Sequence, residues 1–343
     1  MPEYLSSGVY VEEVSGGIKP IEGVGTSTGA FVGRAVKGPV DKAMLITNAT
    51  QFAAAFGGFH PDYHLAYAVN HFFAEGGTRC YVVRVFKPND LPPEDNLSRV
   101  ARSTPNNVLR VLATSPGEWG NKIFVQIGPP AFDPGNVDPA LPNDPNPKKR
   151  FSITVKYQTT PNGPAVTVET FSQLSMEEFT AGLPNPFHVE AQINGVSKYI
   201  EVQDLSHVVT VIEPPANSPA EDPNHPLAHL TNLTGGDETM TLSANDFIGG
   251  EAEANGLHAF DVVDDINIVA IPDLMHPNIP VADARDATIA GFTYCQNRKD
   301  CFFVADPPNA SSPQDVLAYK QGKAPFSGAA FNSTFGALYY PWI

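Results

Sequence analysis

Positive charge and cysteine are scarce in this 343-residue chain. Only 17% of the residues are charged, and 21 Lys and Arg face 37 Asp and Glu, for a formal net charge of −16. A surface of that sign repels phosphate backbones, so nucleic acid is not an expected partner, and the charge serves mainly to keep the chain soluble. The three cysteines, Cys80, Cys295 and Cys301, form no disulfide framework and read as buried, reduced thiols of a cytoplasmic product. No run approaches the ~20 apolar residues of a membrane span, so direct membrane insertion is not expected. Met1-Pro2-Glu3-Tyr4 has no basic region and no apolar run, which argues against a signal peptide. There is no nucleophile elbow, phosphate loop or dinucleotide fingerprint, and no cofactor is expected. Gly23-Val24-Gly25-Thr26-Ser27-Thr28-Gly29 is glycine-rich, but it precedes its strand and no lysine follows, so it reads as a linker.

Turn formers are plentiful: 33 Pro and 28 Gly suit many turns and β-rich loops, and the chain is long enough for two or more cores. The N-terminal segment Val9-Tyr10-Val11-Glu12-Glu13-Val14 alternates as a short β-strand, with no turn signal to pair it locally. Gly16, Gly17 and Pro20 follow, so this arm sits on a flexible linker. A terminal strand without a local partner frays unless it adds to a sheet edge elsewhere.

After the linker, Thr28–Ala35 reads as a small-residue strand turned by Gly38-Pro39, and Leu45–Thr47 as a short strand. Asn48 or Thr50 can cap a helix over 51–56 that ends at Gly57-Gly58. Tyr63–Ala74 reads as an amphipathic helix, and Cys80–Val85 as a buried strand. This order of pieces resembles the tail-sheath proteins of contractile phage tails and contractile injection systems. The resemblance is carried by Gly8-Val9-Tyr10-Val11-Glu12-Glu13, Ala30-Phe31-Val32-Gly33, Phe56-Gly57, Phe72-Phe73-Ala74-Glu75-Gly76-Gly77 and Tyr81-Val82-Val83-Arg84-Val85. It recurs in Glu118-Trp119-Gly120-Asn121, in 264–273, in 300–308, and in Ala337-Leu338-Tyr339-Tyr340-Pro341-Trp342.

The resemblance implies a structural subunit rather than an enzyme. Such subunits polymerise with copies of themselves as stacked hexameric rings around an inner tube protein, bounded by baseplate and tail terminator proteins. Contraction then drives the tube through a target membrane. Assembly would take place in the bacterial cytoplasm, and the product would be part of a phage tail or an injection particle. In this family a large C-terminal module normally follows the Tyr-Tyr-Pro-Trp strand, and the chain is expected to lack it.

The expected fold is mixed α+β and α/β. Residues 1–25 form the arm and linker, and 26–86 the first part of a small α/β core. Residues 87–237 form a β-rich inserted domain, and 238–343 return to the core. Within the insertion, Val108–Ala113 and Lys122–Ile127 read as strands joined by the Trp119 turn, Phe151–Gln158 and Val166–Phe171 as a hairpin, and Tyr199–Val202 and Val208–Ile212 as further strands. Polar, Pro-rich loops at 129–149 and 214–226 are expected on the surface. From 238 onward, short apolar runs alternate with helices at Ala282–Asn297 and Ser312–Tyr319, which implies a small parallel sheet.

Two rival classes stand beside this one. In an α/β enzyme, Asp273 and Asp306 would be strand-end carboxylates, where such folds keep their active sites; the plainer reading is strand-end turns. In a β-rich binding module, Trp119 and Tyr157 would hold a ligand. His60, His64 and His71 have no carboxylate or cysteine at ligand spacing, so no metal site is expected. Cys295 and Cys301 are too far apart for a CxxC pair, and packing is the favoured role for Cys301.

Overall fold

The structure is a computed structural model, and it describes residues 28–87, 102–103, 108–130, 149–160, 163–180, 183–206, 214–223, 225–237, 242–309 and 311–342. The arm and linker therefore lie outside the described residues, as do the strand expected at 208–212 and most of the loop at 129–149.

The N-terminal part begins with β1 (Thr28–Gly33), buried along its whole length. Strand β2 is Met44–Ile46 and helix α1 is Ala49–Phe56. Asn48 caps α1 by accepting the Gln51 N–H at 2.8 Å, and Gly57, at φ 90°, ends it in a conformation a side chain would strain. Helix α2 is Leu65–Ala74, two residues shorter at its start than the apolar pattern suggests. The chain up to Tyr63 is held in a turn by Tyr63 N–H to His60 O, and the His64 N–H is taken by the Asp273 carboxylate. Strand β3 is Arg79–Arg84.

The next segment is antiparallel. Its strands are β4 (Arg102–Ser103), β5 (Leu109–Ala113), β6 (Ile123–Gly128), β7 (Phe151–Gln158), β8 (Ala165–Leu174), β9 (Phe179–Thr180), β10 (Leu183–Pro184), β11 (Ile200–Asp204) and β12 (Thr231–Asn232), with helix α3 (Val189–Ile193) before β11. One sheet has the order β11-β5-β4 and another β12-β6-β7-β8, while β9 and β10 pair with each other. The sequence neighbours β5 and β6 thus enter different sheets, divided by the 3-10 turn Glu118–Lys122. Trp119 of that turn is buried between the sheets, and its indole N–H donates to Ser115 O at 3.1 Å. The Asn121 amide pairs with the backbone of Gly236 through both its groups, at 2.7 and 2.9 Å, closing the segment on its own start. The expected hairpin is present as β7–β8, longer than predicted and irregular at two register shifts.

The C-terminal part contains α4 (Ala244–Ile248), β13 (Ile268–Ala270), α5 (Val281–Arg298), β14 (Phe302–Ala305), α6 (Pro313–Gln321) and β15 (Gly336–Leu338). Ser243 with Asp246, and Ser312 with Asp315, form capping boxes at α4 and α6. Strands from both chain parts build one six-stranded sheet, β15-β14-β13-β1-β3-β2, parallel except where β2 meets β3. Along β1 the pleat alternates: Ala30 and Val32 enter a core under α4 and α5, and Phe31 enters a core with α1 and α2. Each face of the sheet is covered by the helices of one chain part. The fold is α+β, with parallel and antiparallel sheets.

Arg84, at the end of β3, joins the sheet to the antiparallel segment. Its buried guanidinium donates to Ala35 O, Gly38 O and Pro116 O at 2.9 to 3.0 Å. Gly38 N–H donates to Ser115 Oγ at 3.0 Å, and Val36 packs against the antiparallel core.

Inside that core, His188 Nε2 lies 3.1 Å from Asp204 Oδ2, joining the start of α3 to the end of β11. The bond to Asp204 raises the His188 pKa above its ordinary value. Burial pushes Asp204 upward, but donation from His188 and Ser206 outweighs it and leaves the pKa lowered. The raised histidine adds stability that is complete below about pH 6.5 and is lost as pH rises through its folded pKa. The lowered aspartate adds stability that is present above about pH 3.9 and is lost as pH falls through its folded pKa. The stability of the wild type measured by urea unfolding should therefore exceed that of His188→Gln by most between those limits, with the gap closing on both sides. Parallel pH profiles for the two proteins would contradict the pairing.

Candidate functional site at the carboxyl edge of the sheet

Strands β1, β3, β13, β14 and β15 run parallel, so their carboxyl ends share one edge, where an α/β fold keeps a site if it has one. Four features meet there: the turn after β1, the start of α2, the 3-10 turn Pro272–Met275 after β13, and Asp306 after β14.

Asp273 is completely buried. Its Oδ2 accepts the Arg34 N–H and its Oδ1 the His64 N–H, each at 2.7 Å. Burial raises its pKa, against the pull of those two donors. A Cβ on Gly33 would come within 2.5 Å of Asp273 Oδ2 and 2.9 Å of Leu65 Cβ, so only glycine allows this approach. A carboxylate without exposure, with each oxygen holding a main-chain donor, is structural. That geometry fits the strand-end turn reading of Asp273, and the turn it occupies is tied to residues more than two hundred positions away.

Asp306 is half-buried, and burial raises its pKa while nearby His64 pulls it down. Beside it, the Trp342 indole N–H donates to Pro307 O at 2.8 Å, and its ring stands edge-on to His64 at 5.6 Å. Trp342 therefore lies across the edge between β14 and α2. The Arg34 guanidinium sits over the Tyr63 ring at 4.3 Å. Asp265, at the opposite end of β13, pairs with Arg79 at 2.9 Å.

The three histidines serve separate ends. His60 stacks on Tyr63 at 4.1 Å, His64 precedes α2 with its Nδ1 3.9 Å from Asp273 Oδ1, and His71 is exposed on the last turn of α2. A carboxylate does lie beside His64, supplied by the distant Asp273 rather than by local spacing. Among the described residues no three His, Cys, Asp or Glu are grouped to hold a metal.

The binding-module reading also meets a correction. Trp119 is 1% exposed, and Lys37 Nζ lies 5.6 Å over its ring and 5.2 Å over that of Tyr199. Tyr157 stands 5.6 Å from Tyr199 in the same aromatic group. These rings pack against the protein itself and leave no free indole face for a ligand.

Sequence reasoning passed over two arginines. Arg84 is described above. Arg285 of α5, also buried, donates to Tyr319 O at 3.1 Å and to Ala329 O, and lies 4.6 Å over the Phe331 ring. Gly328, at φ 129°, makes room for it. The signal was an arginine beside Ala284, Ala287, Thr288 and Gly291, the small residues of the buried stripe of α5. The arm residues Val9, Tyr10, Val11, Glu12, Glu13 and Val14, and the linker residues Gly16, Gly17 and Pro20, lie outside the described residues.

No protein-family model matches the chain, and no curated protein matches it. Among solved structures it is similar to a sheath tail protein from Listeria innocua, at 13% identity and a TM-score of 0.48, covering 88% of this chain and 57% of that one. It is also similar to a sheath tail protein from Desulfitobacterium hafniense, at 13% identity and a TM-score of 0.45, covering 90% of this chain and 54% of that one. The chain spans little more than half the length of each. No helix among the described residues is long and apolar enough to cross a membrane.

Asp273→Asn should cost about 2–3 kcal/mol in urea unfolding, because one main-chain N–H would then face an amide NH2 in a buried site. A cost below about 0.5 kcal/mol would show that the two bonds do not support the fold.

Proposed function

We propose that the chain is a structural subunit of a contractile sheath, and that it works through interfaces rather than catalysis. The observation that carries this reading is a coincidence of two sets of residues. The segments that resemble sheath proteins are also the ones that build the parallel sheet. Ala30–Gly33 lies in β1, 81–85 covers most of β3, 264–273 contains β13, 300–308 contains β14, and Ala337-Leu338 completes β15. The Trp119-Gly120-Asn121 match is the turn that closes the antiparallel segment.

In this reading residues 26–86 and 238–343 form the core, 87–237 form an insertion, and 1–25 carry the arm to a neighbouring subunit. Homo-oligomers stack as six-membered rings around an inner tube, between a baseplate and a tail terminator. Contraction repacks bistable interfaces while each body stays near-rigid. A sheet pinned through buried side chains suits a body that moves as one piece. Tyr339 and Tyr340, 57% and 43% exposed beside the edge strand β15, offer apolar surface for a partner.

Negative-stain microscopy of the whole protein, produced with its tube partner, should show rings or tubes. Val9→Asp with Val11→Asp should remain as single subunits with unchanged unfolding, because the arm loses its apolar face. Monodisperse particles from the wild type, or tubes from the double variant equal to those of the wild type, would contradict the reading.

A further inference from the structure

Cys295 and Cys301 are six positions apart, yet their sulfur atoms are 3.3 Å apart. The fold brings them together in two steps. Helix α5 ends at Arg298, and Lys299, at φ 68°, turns the chain back while its N–H donates to Cys295 O at 2.8 Å. Cys301 then leads into β14, with its thiol pointed at the sulfur of Cys295. Both side chains are buried in the same core, at 0% and 5% exposure. Cys80, the third cysteine, belongs to the core on the opposite face of the sheet.

We infer that Cys295 and Cys301 are a site of covalent modification, which a small peroxide converts to an internal disulfide. This inference stands on the packing of α5 against β14 and does not depend on the sheath reading. The more accessible sulfur, Cys301, meets the peroxide first. Its electron pair attacks one peroxide oxygen, the O–O bond breaks, and a sulfenic acid and one water form. The sulfur of Cys295 then attacks the sulfenic sulfur, the S–O bond breaks, and the oxygen leaves as water with the thiol proton. Two thiols and one hydrogen peroxide give one disulfide and two waters; the sulfurs are oxidised and the peroxide oxygen is reduced. The atoms close from 3.3 Å to the ~2.05 Å of an S–S bond, with no chain segment to bring in from elsewhere. The hydrogen bond between Cys295 and Cys301, together with burial, pushes the Cys295 thiol pKa upward, and burial pushes Cys80 up to about 12, so both stay protonated and slow to react alone. Proximity is what separates the pair from Cys80.

The test treats the whole folded protein with dilute hydrogen peroxide, quenches with catalase, and reads intact mass and free thiols after unfolding. The expected result is a mass lower by two hydrogens and a fall from three thiols to one, with Cys295 and Cys301 recovered in linked tryptic fragments. Cys80→Ser should lose the same two hydrogens, whereas Cys301→Ser and Cys295→Ala should not. Three thiols persisting in the folded wild type while the urea-unfolded chain oxidises would overturn the inference. So would a link to Cys80, or oxygen addition without loss of hydrogens.

Discussion

Four hydrogen bonds at the two ends of one strand pair join the distant parts of this chain. At one end, Thr28 N–H donates to Asn267 Oδ1 and Asn267 N–H donates to Thr28 O. At the other, Asp273 takes the N–H groups of Arg34 and His64. Among the described residues, β1–β13 is the one strand pair that links the two parts of the core. The contacts span 209 to 239 positions, so the entropy of closing so long a loop opposes them, and it must be offset by burial on both faces of the sheet. That explains why the two ends carry side-chain acceptors in addition to the ladder.

The antiparallel segment depends on the same seam. It leaves the core after β3 and returns before α4, and the pairing of β1 with β13 keeps its roots close, together with the ion pair of Lys87 and Asp246 at 3.3 Å. Arg84 then holds the near root, through carbonyls of the β1 turn and of Pro116. A buried guanidinium surrounded by main-chain oxygens tolerates little displacement, since each lost bond leaves a charged donor unsatisfied. Two buried polar groups, Asp273 and Arg84, are thus committed to joining backbone segments.

Much of this was legible in the sequence because local signals were unambiguous. Asn48 and Gly57 bound α1 as their chemistry requires, Ser312 begins α6, and the short apolar runs at 266–271, 301–305 and 337–340 are strands, though shorter than the runs themselves. What escaped reading was set by contacts remote in the chain. Asp273 looked like a turn residue or a catalytic acid until its two distant donors were in view. The Trp119 turn was legible, but only the fold shows that its ring is buried and so closed to the ligand of the rival binding module. Cys295 and Cys301 looked unrelated because their spacing is too wide for a CxxC pair, whereas a left-handed residue at Lys299 folds the strand back onto the helix. The start of α2 slipped by two residues for the same reason: a distant carboxylate, not a local cap, takes the His64 N–H.

Native-state hydrogen exchange at the amides of Arg34 and His64 tests the seam most directly, because each amide reports one Asp273 bond. If the seam holds the two parts together, these amides exchange only when the whole sheet opens, with the same opening free energy as the central amides of β1 and β3. Exchange of Arg34 and His64 orders of magnitude faster than those strands would contradict the account, since the two parts of the core would then separate without unfolding.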